Sequence, residues 1–303
     1  LPDDMGLLLG SLSEPLTSCI RAFNRAIKAG GFTWGDTVVI QGTGPIGILA
    51  IAAAQEMGAG RVIAVGAPES PRLHLAREFG AEATVDIETH KSPEARIEAV
   101  REIVGGWGAD LVMDCSGHPS AGPEGIEFLR DGGTYVEMGQ FTDAGSIMTS
   151  WHRICTKDIN LLGSWAFTAN DLPLGVDMLY KARAKYPWRK MQTLFPFTVA
   201  GVKDAVAQAM AMKTVKSTIV PFEELRAPSL TNLRMDPFER AEEEGAMGYQ
   251  NWWAERMFVF APAGGYVAQW LQSFREFPPR QKPGSFNLDR VMEAVSKPQG
   301  AGK

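Results

Sequence analysis

The stretch from Thr37 to Gly47, TVVIQGTGPIG, sets three glycines at a spacing suited to holding phosphate. Val38, Val39 and Ile40 form a short apolar run entering Gly42-x-Gly44-x-x-Gly47, and an alanine-rich apolar segment follows from Ile48 to Met57. The pattern reads as strand, tight turn and helix. Each glycine has its own steric reason. The first turns the chain, the second lets a pyrophosphate approach the backbone, and the third lets the helix pack closely on the strand. Pro45 and Ile46 open the helix, whose first turn offers unpaired N–H groups and a partial positive charge to an anion. The alternative is a glycine-rich turn with no ligand.

Elements that could position such a loop recur along the chain. A helix is expected over Leu16 to Ala29, with Ser13-Glu14-Pro15 as its start signal and Gly30-Gly31 as its stop. After the first strand and helix, apolar runs at Arg61–Val65, Ala83–Ile87, Ala109–Met113, Thr134–Met138 and Asn160–Gly163 read as further strands. Helices are expected between them at Ser70–Phe79, Ser92–Val104 and Gly122–Leu129. Such alternation predicts an α/β fold, a doubly wound parallel sheet covered on both faces. An amphipathic helix within Trp165–Tyr186, a strand at Phe195–Phe197, a helix at Val199–Met212 and a strand at Val215–Val220 complete residues 1–221.

In sheets of this kind ligands bind beyond the carboxyl ends of the strands. That rule selects the glycine loop, Gly66, Asp114 to Gly117, and Gly139-Gln140. Gly66 stands where an acid would normally accept hydrogen bonds from a ribose. The nearest acid is Glu69, and Arg72 follows. Without the acid a ribose phosphate is not repelled and Arg72 could pair with it, or Arg72 is a solvated helix residue. NAD and NADP are both open.

Composition excludes several classes. The 303 residues are 45% hydrophobic with a net charge of -5, and no basic run suggests a nucleic-acid or anionic-membrane partner. No apolar stretch is long enough to span a bilayer, so a cytoplasmic location is the expectation. Cys19, Cys115 and Cys155 lie far apart, and His74, His90, His118 and His152 show no metal-ligand spacing. No metal site is expected from this chain alone.

Residues 1–221 resemble the cofactor-binding half of the medium-chain, zinc-type alcohol dehydrogenases. The matching pieces, in the family's order, are Glu14-Pro15-Leu16, GDTVVIQGTGPIG at Gly35–Gly47, RLHLAREFGA at Arg72–Ala81, GADLVMDCSG at Gly108–Gly117, GGTYVEMGQ at Gly132–Gln140, NLLGS at Asn160–Ser164 and VKSTIVP at Val215–Pro221. The resemblance implies hydride transfer between an alcohol or carbonyl carbon and NAD or NADP. It implies pyrophosphate binding by Gly42, Gly44 and Gly47, and lining of the adenosine and nicotinamide ends by Ser116, Gly117, Gly139 and Gly163. Pairing of Asn160–Gly163 with its twin would make a homodimer. The family's zinc ligands and proton relay come from a catalytic domain ahead of this half, and that domain is absent from residues 1–221. Zinc is therefore expected for the family but cannot be bound by this chain alone, which is not expected to turn over by itself. A small alcohol or carbonyl substrate would need the catalytic domain to be supplied. Glu14 matches an acid lying close to that zinc, but one carboxylate cannot hold the metal, and a helix-capping role is the favoured expectation.

Beyond Pro221 the alternation stops, and residues 222–303 form a smaller α+β appendage rich in Phe and Trp. Helices are expected at Tyr249–Met257 and Tyr266–Phe274. NLRMDPFERA at Asn232–Ala241 and EFPPRQKPGSFNLD at Glu276–Asp289 resemble the carboxyl-terminal segment of bacterial arylsulfatases. None of the three cysteines stands in the C-x-P-S-R type motif that sulfatase chemistry needs. Three functional readings follow: the NAD(P)-binding portion of an alcohol dehydrogenase-type oxidoreductase, a remnant of an arylsulfatase, or a non-catalytic fusion of two truncated genes.

Overall fold

Leu12, Leu16, Cys19, Ile20, Phe23 and Ala26 recur at three- and four-residue steps and become a buried helical stripe. In the computed structural model, which describes residue 2 and residues 5–220, that stripe belongs to helix α2 (Ser13–Lys28), preceded by the single turn α1 (Leu7–Gly10). The elements then run β1 (Thr37–Gln41), α3 (Pro45–Glu56), β2 (Arg61–Gly66), α4 (His74–Glu78), β3 (Ala83–Asp86), α5 (Pro93–Ile103), β4 (Ala109–Asp114), α6 (Ala121–Phe128) and β5 (Leu129–Glu137). There follow α7 (Trp151–Thr156), β6 (Asn160–Gly163), α8 (Leu172–Lys181), β7 (Gln192–Pro196), α9 (Val199–Met210) and β8 (Lys216–Val220). The tail segments read as helices and as arylsulfatase-like motifs lie outside the described residues.

Six strands form one parallel sheet in the order β3-β2-β1-β4-β5-β6. The order reverses between β1 and β4, where the two outgoing connections leave for opposite sides and a crevice opens at the strand ends. Val38, Ile40, Leu111 and Met113 pack in one core with α2 and α3. Val39, Val112 and Tyr135 point to the other face and pack with Phe128 of α6. Alternate side chains of one strand thus serve opposite layers, which is why these runs are apolar throughout. β7 and β8 pair in parallel as a separate two-stranded sheet.

The structure corrects four expectations. Helix α2 begins at Ser13, three residues before the expected start, and its N-cap residue is Leu12. The helix expected over Ser70–Phe79 is broken: Ser70 is extended (φ −116°, ψ 131°), and only His74–Glu78 is α-helical. Pro71 accounts for this, because the residue before a proline is pushed out of the helical region. The fifth strand starts at Leu129, since β5 pairs with β4 first at Ala109↔Leu129 and again at Leu111↔Thr134, with a register shift between. The strand expected at Phe195–Phe197 begins earlier, at Gln192.

One ion pair ties two helices that cover the sheet. Arg96 of α5 donates to the Glu124 carboxylate of α6 at 2.7 and 2.5 Å, with side chains only 12% and 8% exposed. Removing one partner of a nearly buried pair strands the other charge, so Glu124→Ala is expected to cost about 3 kcal/mol in urea denaturation. A loss below about 1 kcal/mol would show the pair to be dispensable.

Candidate functional site

The first-strand loop has the shape its glycines predict. Gly42 has φ +93°, and a Cβ there would lie 2.8 Å from the backbone of Ser116, beyond the end of β4. At Gly47 a Cβ would overlap the Gly42 carbonyl oxygen, so this residue sets how closely α3 approaches the loop. Gly44 is different. Among the described residues nothing beyond its own neighbours in the chain lies within 4 Å of a Cβ built on it, so these residues leave the space above the loop open. Gly44 is also the N-cap of α3, contributes no side-chain cap, and is followed by Pro45. The Ile46 and Gly47 N–H groups in the first turn have no intrahelical acceptor. Open space, two free donors and the positive end of a 12-residue helix make a cradle for a diphosphate.

At the end of β2, Gly66 is buried, and the Thr43 side chain of the glycine loop fills the place a Cβ would take. Thr43 is 2% exposed, and its Oγ1 is buried without a partner. Glu69 forms an ion pair with Arg77. Arg72 turns toward the start of β8, its Nη2 3.4 Å from the Thr214 carbonyl. Burial pushes the Arg72 pKa down, and its Nε has no partner. Glu69 and Arg72 thus have local partners within the fold. Asp86, paired in register with Gly66, accepts from the Glu88 N–H at 2.8 Å.

Two further loops meet across the crevice. After β4, Asp114 Oδ1 accepts from the Ser116 N–H at 2.7 Å and from its hydroxyl at 2.6 Å. After β5, Glu137 Oε1 accepts from the N–H groups of Gly139 and Gln140 at 2.9 and 3.0 Å. Gly117 and Gly139 touch: a Cβ on Gly117 would lie 2.7 Å from the Gly139 carbonyl oxygen. The loops holding Ser116, Gly117 and Gly139 are therefore brought together with the glycine loop, while Gly163, at the end of β6, faces open space. Glu137 was not among the residues selected from sequence. Its only signal is an acid ending an apolar strand, and its importance depends on the register Asp114↔Glu137.

Glu14 does not cap α2. It lies in the helix's first turn, exposed, and the helix has no side-chain cap. The described residues do not fit a zinc ion, since no three or more His, Cys, Asp or Glu among them are arranged to hold a metal. Cys19 is buried, with its thiol 3.6 Å from the Ile46 carbonyl and its pKa pushed up to about 12 by burial. Cys115 is pushed up by burial as well, and Cys155 is exposed. Among the described residues no helix is long and apolar enough to cross a membrane.

A sheet of this order with a glycine loop at its switch point is a Rossmann-type dinucleotide-binding fold, and residues 45–181 match the family described as zinc-binding dehydrogenase. Residues 45–181 thus resemble the cofactor-binding part of the zinc-type dehydrogenases. The chain is 34% identical over 181 residues to D-xylulose reductase A of Aspergillus niger, covering 59% of this chain and 48% of that protein. It is 28% identical to an alcohol dehydrogenase from Thermotoga maritima, with a TM-score of 0.60 over 68% of this chain and 55% of the other. A structure described as a zinc-binding dehydrogenase from Sinorhizobium meliloti bound to NADP shares the fold, at 23% identity and a TM-score of 0.61 over 73% of this chain and 61% of the other. The chain spans about half the length of the curated relatives it matches. The family match ends at residue 181, and the arylsulfatase-like motifs lie beyond it. These matches favour the dehydrogenase portion over the fusion and sulfatase readings.

Proposed function

We propose that residues 1–220 bind NAD or NADP across the ends of β1, β4 and β5 and supply the cofactor half of an oxidoreductase acting on an alcohol or carbonyl compound. The open cradle above Gly44 at the start of α3 carries this reading. The pyrophosphate would rest on Gly44, Pro45, Ile46 and Gly47, with Gly42 shaping the turn. Ser116, Gly117 and Gly139 would line the crevice, with Gly163 at its far side. Bound nicotinamide would accept or give the hydride, and this half would hold it in place. Substrate contacts are proposed to come from a catalytic domain supplied outside residues 1–220. Pairing of the exposed edge strand Asn160–Gly163 with a second copy would make a dimer, and a cytoplasmic location suits a reaction drawing on the dinucleotide pool. The arylsulfatase likeness of the tail rests on its two motifs alone.

The adenosine end favours neither cofactor strongly. No carboxylate stands at Gly66, while Glu69 is held by Arg77. Fluorescence titration with NADH and NADPH is expected to give dissociation constants within about tenfold of each other, a difference of about 1.4 kcal/mol. Absence of binding by both would sink the proposed function. Gly66→Asp would collide with Thr43 and cost about 1–3 kcal/mol of stability. Combined with Thr43→Gly, it is expected to turn preference toward NADH, because a carboxylate repels a ribose phosphate and accepts from ribose hydroxyls. Unchanged preference in the double variant would place the ribose elsewhere.

A further inference from the structure

Asp114 and Glu137 end neighbouring parallel strands in matched register, in step with Val112 and Tyr135, whose side chains pack on the face covered by α6. Each has one oxygen already committed. Asp114 Oδ1 takes both donors of Ser116, and Glu137 Oε1 takes the Gly139 and Gln140 amides. The other Asp114 oxygen, Oδ2, is buried without a donor. A Cβ on Gly139 would lie only 2.8 Å from it. The Glu137 carboxyl stands at the matched position of the neighbouring strand, near enough that each group acts on the other's ionisation, and the Gly117 N–H lies on the other side of Asp114. Two ionised carboxylates only accept, so a bond between these two needs a shared proton.

We propose that Asp114 and Glu137 work as one proton-sharing pair that fastens the loop after β4 to the loop after β5, and that loss of the shared proton loosens both loops and weakens dinucleotide binding. The second half rests on the proposed function. The first half concerns the fold alone.

The proton belongs on Glu137. Its oxygen not used by the two amides donates to Asp114 Oδ2, leaving the Asp114 carboxylate ionised and fully bonded. Burial, and then the Asp114 charge, push the Glu137 pKa from 4.5 up to about 7. Burial also raises Asp114. The other titratable groups facing the pair are Tyr135 on β5 and Cys115 beside Asp114, with Cys19 of α2 acting on that thiol. Burial raises all three, so they stay neutral while the pair titrates. On the covering helix, Glu124 is bound to Arg96. None of these groups is a cation that would compensate a second negative charge.

The sign follows from linkage. Between pH 4.5 and about 7 the folded chain holds a proton that the unfolded chain has released, so this contribution to stability declines as pH rises through that window. Glu137→Gln supplies the same amide-accepting oxygen and a permanent N–H donor in place of the shared proton. The melting temperature of the full-length chain, without ligand, should be measured from pH 5 to pH 9 for the wild type and for Glu137→Gln. The expected result is coincidence near pH 5 and an advantage for the variant that grows between pH 5 and about 7 and levels off above it. Asp114→Asn, which donates from the other side, should also flatten the difference. If both variants track the wild type at every pH, or fall below it by a constant amount, the pair shares no proton and the proposal fails. A second arm measures the NADH dissociation constant over the same range. It is expected to weaken about tenfold from pH 6 to pH 9 in the wild type and to stay level in Glu137→Gln. Equal pH slopes in the two proteins would overturn the coupling to binding. If no protein binds NADH at any pH, the proposed function has failed and the melting arm still decides the pair.

Discussion

Gly44→Val is expected to abolish dinucleotide binding while leaving the fold intact. The backbone at Gly44 (φ −74°, ψ −171°) is extended and available to valine, and among the described residues nothing beyond its own neighbours in the chain lies within 4 Å of the new Cβ. The protein therefore has no steric objection, and its melting point should move by no more than an exposed substitution moves it, about 0.5 kcal/mol. The ligand does object. The isopropyl group would stand where a phosphate must stand to reach the Ile46 and Gly47 N–H groups. Losing two hydrogen bonds to an anion, each worth about 1.5–3 kcal/mol, corresponds to at least a hundredfold in affinity. Titration calorimetry with NAD and NADP reads this directly, and undiminished affinity in the variant would place the diphosphate elsewhere.

Gly47→Ala is expected to fail in the opposite way. Its Cβ would overlap the Gly42 carbonyl oxygen, which is backbone and cannot swing aside. Either α3 retreats from the loop or the loop opens, and both disturb Ile48, Leu49 and Ile51, which are fully buried. A loss of about 3 kcal/mol in urea denaturation is expected, at the upper end for overpacking, with weakened binding as its consequence. The contrast between the two variants is the informative result. One motif holds a glycine kept for the ligand and a glycine kept for the helix. Equal melting points for Gly44→Val and Gly47→Ala would contradict that division.

These distinctions show what the sequence can carry. The run Val38–Ile40, the glycine spacing and the alternation of apolar strands with helices are local, so they announce the sheet and its loop plainly. The break at Ser70 is local too, because Pro71 forbids a helical residue before it, and the motif RLHLAREFGA conceals this by reading as one helix. The early start of β5 is less legible. Leu129 pairs with Ala109 through a register shift that depends on the partner strand. The Asp114–Glu137 pair is further from view, since it exists only once two strands separated by a helix lie side by side in one register. Glu14 shows the same limit from the other direction. Its place in a motif suggests either a metal neighbour or a cap, and the fold leaves it exposed on the first turn of α2.

In the proposed function the start of α3 holds the diphosphate of a dinucleotide. A crystal structure of the full chain grown with NAD or NADP tests it most directly. A pyrophosphate is expected above Gly44 with its oxygens about 2.7–3.2 Å from the backbone nitrogens of Ile46 and Gly47. A dinucleotide bound elsewhere, or a crevice still empty at saturating cofactor, would contradict it.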